Sequence, residues 1–146
     1  QAKRFIATCK AFTKWLDQKY GTSHAPYVWH IVKQVEERIY EAIRLLDMYH
    51  PYWQRQNIGW HAIWRLTDEA KMFQVVSLSS HTATLRAVET NDLYTITTPP
   101  PLRARMKKGM FIECSFRRKE NGTYAIGRIA HVFPEDAALY MNEALL

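Results

Sequence analysis

The sequence predicts an α+β protein. An N-terminal antiparallel helical hairpin is expected to pack on a C-terminal small antiparallel β-barrel or bent sheet, OB-like or SH3-like, followed by a short C-terminal helix. Three observations carry this expectation. Apolar residues recur at helical spacing through the first 50 positions. Residues 71–133 alternate in hydropathy and are punctuated by hairpin-type turns. The chain is 146 residues long, the size of one domain that can bury a core without disulfides or metals. The expected layout is therefore a single domain over 1–146: a hairpin over 1–50, an aromatic-rich connection over 51–70, a β-rich part over 71–133 and a terminal helix over 134–146.

Residues 3–20 read as the first helix, with Phe5, Cys9, Phe12 and Leu16 at helical spacing and Lys3, Lys10, Lys14 and Lys19 facing elsewhere. Gly21 is a natural helix stop. Pro26 suits the first turn of a second helix. Along that helix Val28, Val32, Val35, Ile39, Ala42 and Leu46 form an unbroken stripe, with Lys33–Glu37 and Glu41–Arg44 as charge pairs on the polar face. Trp29 and Tyr40 lie off the stripe. Pro51 is expected to end the helix near Tyr49 or His50. A short loop between two striped helices implies an antiparallel hairpin.

Residues 51–70 fit two periods. Trp60, Ala62, Trp64 and Leu66 alternate like a strand, and Trp60, Ile63, Trp64 and Thr67 also share a helical face; the alternation favours a strand. Met72 to Leu78 is rich in β-formers. Thr84 to Glu89 and Leu93 to Thr97 flank an Asn91-Asp92 turn. The run Thr97-Thr98-Pro99-Pro100-Pro101 reads as an extended crossing loop, in preference to a docking site for proline-reading domains. After Gly109, the residues Met110, Ile112, Cys114 and Phe116 alternate with Glu113, Ser115 and Arg117. Asn121-Gly122 is a hairpin turn, and Thr123 to Phe133 is the returning strand. Pro134, Glu135 and Asp136 suit the start of a last helix, with Ala138, Met141 and Leu145 as its apolar face.

Several classes of function lack their signature. There is no phosphate-binding G-x-x-x-x-G-K-[ST], no G-x-G-x-x-G, no H-E-x-x-H and no G-x-S-x-G. Cys9 and Cys114 are far apart and match neither a zinc nor a disulfide framework, which favours a reducing, cytoplasmic compartment. No apolar run approaches the roughly 18 residues that span a bilayer, so no membrane association is expected. The six histidines, His24, His30, His50, His61, His81 and His131, show no ligand spacing. His30 is expected on the solvated helix face, and His61 and His131 fall on expected strands. No metal, no cofactor and no catalytic residue is assigned, and the reading leans away from an enzyme.

Charge supplies the leading functional candidate. The net charge is +6, and residues 103–128 hold an excess of the same size: Arg103, Arg105, Lys107, Lys108, Arg117, Arg118, Lys119 and Arg128 against Glu113 and Glu120. Four of these cations precede one strand and three follow it. A seven- or eight-residue strand spans about 25 Å at roughly 3.3 Å per residue, so the two clusters are expected at opposite ends of one barrel face. Such a track suits a phosphate backbone; the competing reading is a solvated hairpin. The expected function is thus a non-catalytic binding module that contacts nucleic acid, with Trp53 and Trp60 as candidate aromatic contacts. The first alternative is a protein-interaction or oligomerisation module that uses the hairpin and the aromatic segment. The second is a small-ligand binder or enzyme with a pocket lined by Trp60, Trp64 and His61.

Overall fold

The computed structural model describes residues 2–57 and 70–138, with side chains over 3–51 and 70–138. Two helices come first, α1 (Ala2–Tyr20) and α2 (Ala25–Asn57). Five strands follow: β1 (Lys71–Leu78), β2 (Thr82–Ala87), β3 (Leu93–Thr97), β4 (Phe111–Arg118) and β5 (Tyr124–Phe133), with a short helix α3 (Pro100–Arg105) between β3 and β4. A 3-10 turn at Glu135–Ala137 follows β5. The α+β class is as expected. The chain forms two compact units, residues 1–40 and residues 41–146.

In the first unit, Gly21 ends α1 at φ +66°, a left-handed conformation open to glycine at little cost. Asp17 then organises the turn into α2. Its Oδ1 accepts from the Thr22 hydroxyl at 2.6 Å and the His24 N–H at 2.9 Å, and its Oδ2 accepts from the Ala25 N–H at 2.6 Å. These donors satisfy amides that the start of a helix leaves unpaired, and they hold the Asp17 carboxyl below its ordinary value, the Thr22 hydroxyl most of all. The α1 face that becomes buried centres on Ile6. Phe5 and Phe12, expected on the apolar face, are 70% and 54% exposed; they lie one position off the row of Ile6, Cys9, Thr13 and Leu16 that is at least partly covered.

In the second unit the last half of α2 belongs to the barrel core. Leu45 and Tyr49 are buried together with Phe73, Val75, Leu85, Ile96, Ile112 and Phe116. Full burial of one such aliphatic side chain contributes about 1.5–3 kcal/mol. Pro51 does not end α2, contrary to expectation: the helix runs on to Asn57, over the start of what was expected as connection. The donor that proline lacks falls opposite the carbonyl of Asp47, an exposed residue where water can take the bond. The strand expected near residues 58–66, Trp60, Trp64 and His61 included, lies outside the described residues, as do Met141 and Leu145.

The barrel is closed in the order β1-β2-β3-β5-β4. All pairings are antiparallel except β3 with β5, which is parallel through Ile96↔Tyr124 and Thr97↔Ala125. Five strands in this order, closed by β1 against β4 and with a helix in the β3–β4 connection, make the barrel OB-like; this settles the choice against an SH3-like barrel. Irregular register at Val75/Ser77 in β1 and around Cys114 in β4 supplies the extra bend that closure needs. Met110, Ile112, Cys114 and Phe116 are buried as their alternation predicts, but Phe111 and Ser115 are buried too, so the opposite face of β4 is covered at those two positions, contrary to the alternation. The proline run is not an extended loop throughout. Pro99 precedes α3, and Pro100 and Pro101 occupy its first turn, where a missing N–H costs nothing and φ is already helical. Leu102 then enters the core.

Candidate ligand pocket and basic surface

The strand register builds a single row across four strands. Thr82 pairs with Thr97, Thr97 with Ala125, and Ala125 with Arg117. This row lines a pocket of about 320 Å³, joined by Tyr49, His81, Thr98 and Lys119. Among the described residues the lining includes two cations, one histidine and no carboxylate.

Each wall is held by local chemistry. On one side the β1–β2 turn is fixed by the Ser79 N–H to Thr82 carbonyl bond at 2.9 Å and by the Ser79 and Thr82 hydroxyls at 2.7 Å. The Thr98 N–H donates to the His81 carbonyl at 2.8 Å, which pins the end of β3 to that turn. Arg103 reaches back from α3, and its Nε–H donates to the Ser79 carbonyl. On another side the β4–β5 turn is a tight hairpin. The Lys119 N–H donates to the Thr123 carbonyl at 2.8 Å, and Gly122 takes φ +80°. Asn121 Oδ1 accepts from the Thr123 N–H and hydroxyl at 3.1 and 2.7 Å. Tyr49 is fixed in turn: its hydroxyl lies 2.8 Å from the Ile126 carbonyl and 2.7 Å from that of Gly127. Thr98 is 5% exposed, and its hydroxyl, itself closed off from solvent, has no hydrogen-bond partner among the described residues.

The eight cations singled out in the sequence do not all meet here. Arg117 and Lys119 line the pocket, and Arg103 is tied to the turn that carries His81. Arg118, next along β4, is exposed at the strand end, paired with Tyr124. Arg105 is exposed at the end of α3, and Lys107 and Lys108 are exposed in the turn before β4. That turn is bonded to the middle of β1 through the Gly109 N–H and the Val75 carbonyl. Arg128 is exposed on β5, and its N–H donates to the Ser115 hydroxyl at 3.1 Å. Trp60 lies outside the described residues, as does the side chain of Trp53. Sequence reasoning missed His81, Thr82, Thr97 and Thr98 as pocket residues. Threonines beside a proline run give no chemical signal of their own; the strand register alone brings them to Arg117.

Other titratable groups serve elsewhere. His131 Nδ1 sits 2.6 Å from Glu113 Oε2 on the exposed outer face of β4 and β5. His30 is exposed, as expected, beside Gln34. Burial pushes the Cys114 thiol up, with the Glu113 charge adding to the effect, so the thiol stays protonated and unreactive. Among the described residues no three His, Cys, Asp or Glu side chains converge as metal ligands, and no helix is long and apolar enough to cross a membrane.

Geometry and charge together define an OB-like barrel with a cation-lined pocket. No family model matches the chain, and no curated protein matches it.

Proposed function

We propose that this protein is a non-catalytic binding module that contacts nucleic acid through the basic side of its OB-like barrel. The observation that carries this reading is the meeting of Arg117 and Lys119 in one pocket with no carboxylate among its described lining residues, with Arg118 exposed beside it and Arg103 tied to its rim. Lys and Arg so placed neutralise backbone phosphates, and barrels of this type bind single strands across the turn between β1 and β2 and the turn between β4 and β5. Both turns border this pocket. Arg105, Lys107, Lys108 and Arg128 extend the positive surface and favour long-range attraction over direct contact.

The test is a titration of single-stranded DNA and RNA at several salt concentrations. Three phosphate contacts give a log–log slope of about −2, at roughly 0.7 per neutralised phosphate on a single strand. Arg118→Glu with Lys119→Glu should abolish binding at moderate salt while the thermal midpoint stays within a few degrees. Binding unchanged in that variant, shown folded by circular dichroism, would remove the reading.

A second reading rests on a different observation. Phe5, Phe12, Trp15, Tyr20, Tyr27 and Trp29 in residues 1–40 are each at least 40% exposed. Large exposed aromatics favour association with a protein or a second copy. Light scattering across a wide concentration range tests self-association, and a monomer throughout would exclude it.

A further inference from the structure

The hairpin of α1 and α2 carries two apolar rows that its own packing leaves unused. Phe5, Cys9, Phe12 and Leu16 on α1 recur at spacings of four, three and four, and so do Val28, Val32, Val35 and Ile39 on α2. A repeat of about 3.5 residues is the pattern by which one helix packs its side chains between those of another. Yet the two helices do not meet along these rows. α1 faces α2 with Lys3, Ile6 and Lys10, and α2 faces α1 with Trp29, Glu36 and Tyr40. The Lys3 ammonium lies 5.7 Å from the centre of the Tyr40 ring, and Lys10 Nζ lies 3.8 Å from Glu36 Oε2. The Trp29 indole N–H donates to the Lys10 carbonyl at 3.3 Å. These contacts match early α1 to late positions and so run antiparallel.

Each apolar row stands one residue before its helix's contact row. Phe5 and Cys9 precede Ile6 and Lys10, and Val28, Val35 and Ile39 precede Trp29, Glu36 and Tyr40. One residue is about 100° around a helix. Because the helices are antiparallel, the same rotation on both brings the two rows to one side of the hairpin. On the other side, one residue after the contact rows, Ala7, Ala11, Lys14, His30 and Glu37 are exposed. The hairpin is thus a single layer with one apolar face, the geometry of half a four-helix bundle. In such a bundle the apolar rows point to the centre and neighbouring helices meet through flanking charges, as Lys10 and Glu36 do here.

We infer that this face packs against the same face of a second copy, so that two hairpins close a four-helix bundle about a two-fold axis. The choice rests on reading the exposed aromatics as an association surface, and adds the partner to it. The missing half must offer two antiparallel apolar rows of matching length, and the chain's own rows, over 5–16 and 28–39, are equally long. Phe5, Phe12, Trp15 and Ile31 chiefly leave about 500 Å² of apolar surface open on each copy, given the roughly 150–250 Å² of a whole aromatic side chain. A face-to-face pair then buries about 1,000 Å², the least that a specific interface needs, and a dissociation constant of about a micromolar or weaker suits that size. A lipid surface asks only for a broad apolar side, whereas the regular spacing of four and three is what a helical partner asks for. Residues 1–40 hold seven basic and three acidic side chains, so two hairpins repel at low salt and associate better as salt rises. That is opposite in sign to the salt dependence of nucleic-acid binding.

The experiment measures the mass of the full chain by sedimentation velocity across a wide concentration range at low and high salt, and follows alkylation of Cys9 in the same samples. Cys9 lies in the α1 row and Cys114 is buried, so Cys9 reports on this face. The expected result is a monomer–dimer equilibrium that salt tightens, with Cys9 alkylating several-fold more slowly in the dimer. That readout uses the unaltered chain, so it does not depend on any variant folding. Phe5→Glu with Phe12→Glu should abolish the dimer. Lys14→Ala on the opposite side, and Arg118→Glu with Lys119→Glu, should leave it unchanged. Vesicles of phosphatidylcholine and phosphatidylglycerol are the competing probe. A monomer at every concentration and salt overturns the inference and leaves the nucleic-acid reading untouched; if that monomer sediments with the vesicles, the face belongs to lipid. A dimer that persists in the Phe5→Glu, Phe12→Glu variant overturns the assignment to this face and leaves the association reading standing. Cys9 equally protected in monomer and dimer shows the face covered within one copy, and also overturns it.

Discussion

At the residue scale, two positions show how much one side chain settles. Asp17 joins the turn between α1 and α2 through three donors. Its carboxyl lies below the ordinary 3.8, so its contribution is present in full above the unfolded value and is lost as pH falls through the lower folded one. Helicity of the hairpin should therefore hold from neutral pH down to about pH 4 and decline below it. Asp17→Ala should flatten that acid dependence, as read by circular dichroism in a pH titration. Gly109 is the second position. Its φ is +89°, strained for any residue with a Cβ, whereas the Glu135 side chain that such a Cβ would meet is exposed and can turn away. Gly109→Ala should cost about 1 kcal/mol or more by denaturant unfolding. Gly122→Ala, also at positive φ, should cost a similar amount.

At the scale of the element, α2 is the informative case. Its early apolar stripe is only partly covered, whereas Ala42, Leu45 and Tyr49 are buried in its last half. Tyr49→Phe keeps the ring and removes the hydroxyl that serves the Ile126 and Gly127 carbonyls. It should destabilise the protein by about 1–3 kcal/mol, because buried acceptors would lose their donor. Pro51→Ala should act in the opposite direction and stabilise the helix by up to about 3 kcal/mol, since proline is the poorest residue in a helix interior. Both are read as midpoint shifts in urea. The hairpin turn between β4 and β5 belongs here too: it presents Arg118 and Lys119, and its Asn121 and Gly122 make it stiff.

At the scale of the whole molecule, charge and topology act together. Eight cations stand in one stretch of sequence, yet closure of the barrel sorts them into unequal groups. Arg117 and Lys119 enter the pocket and Arg103 is drawn to its rim, while Lys107 and Lys108 remain before β4 at the other end of that strand. Salt should therefore weaken binding through all eight, but substitutions should not be equivalent. Lys107→Gln with Lys108→Gln should lower affinity a few-fold at low salt and hardly at all at high salt, where distant charges are screened. Lys119→Gln should reduce affinity at both, as measured by the same titrations.

The helical front, the strands from Met72 to Phe133 and the inward row of Ile112, Cys114 and Phe116 were legible in the sequence, because local periodicity and turn chemistry determine them. Asn91 at φ 63° and Gly122 at φ +80° are turns whose residues announce the backbone they adopt. The extent of α2 past Pro51 was not legible, since burial of Leu45 and Tyr49 in a distant barrel outweighs a local breaker. Nor was the start of α3 within the prolines, where Leu102 finds a core that the sequence around it does not reveal. The basic stretch was visible as composition alone. That Arg117 comes to share a pocket with Thr82, Thr97 and Thr98 follows from the parallel pairing of β3 with β5, a contact between segments nearly 30 residues apart. Periodicity acts within an element and can be read along the chain; the site depends on pairing between elements, which only the closed barrel decides.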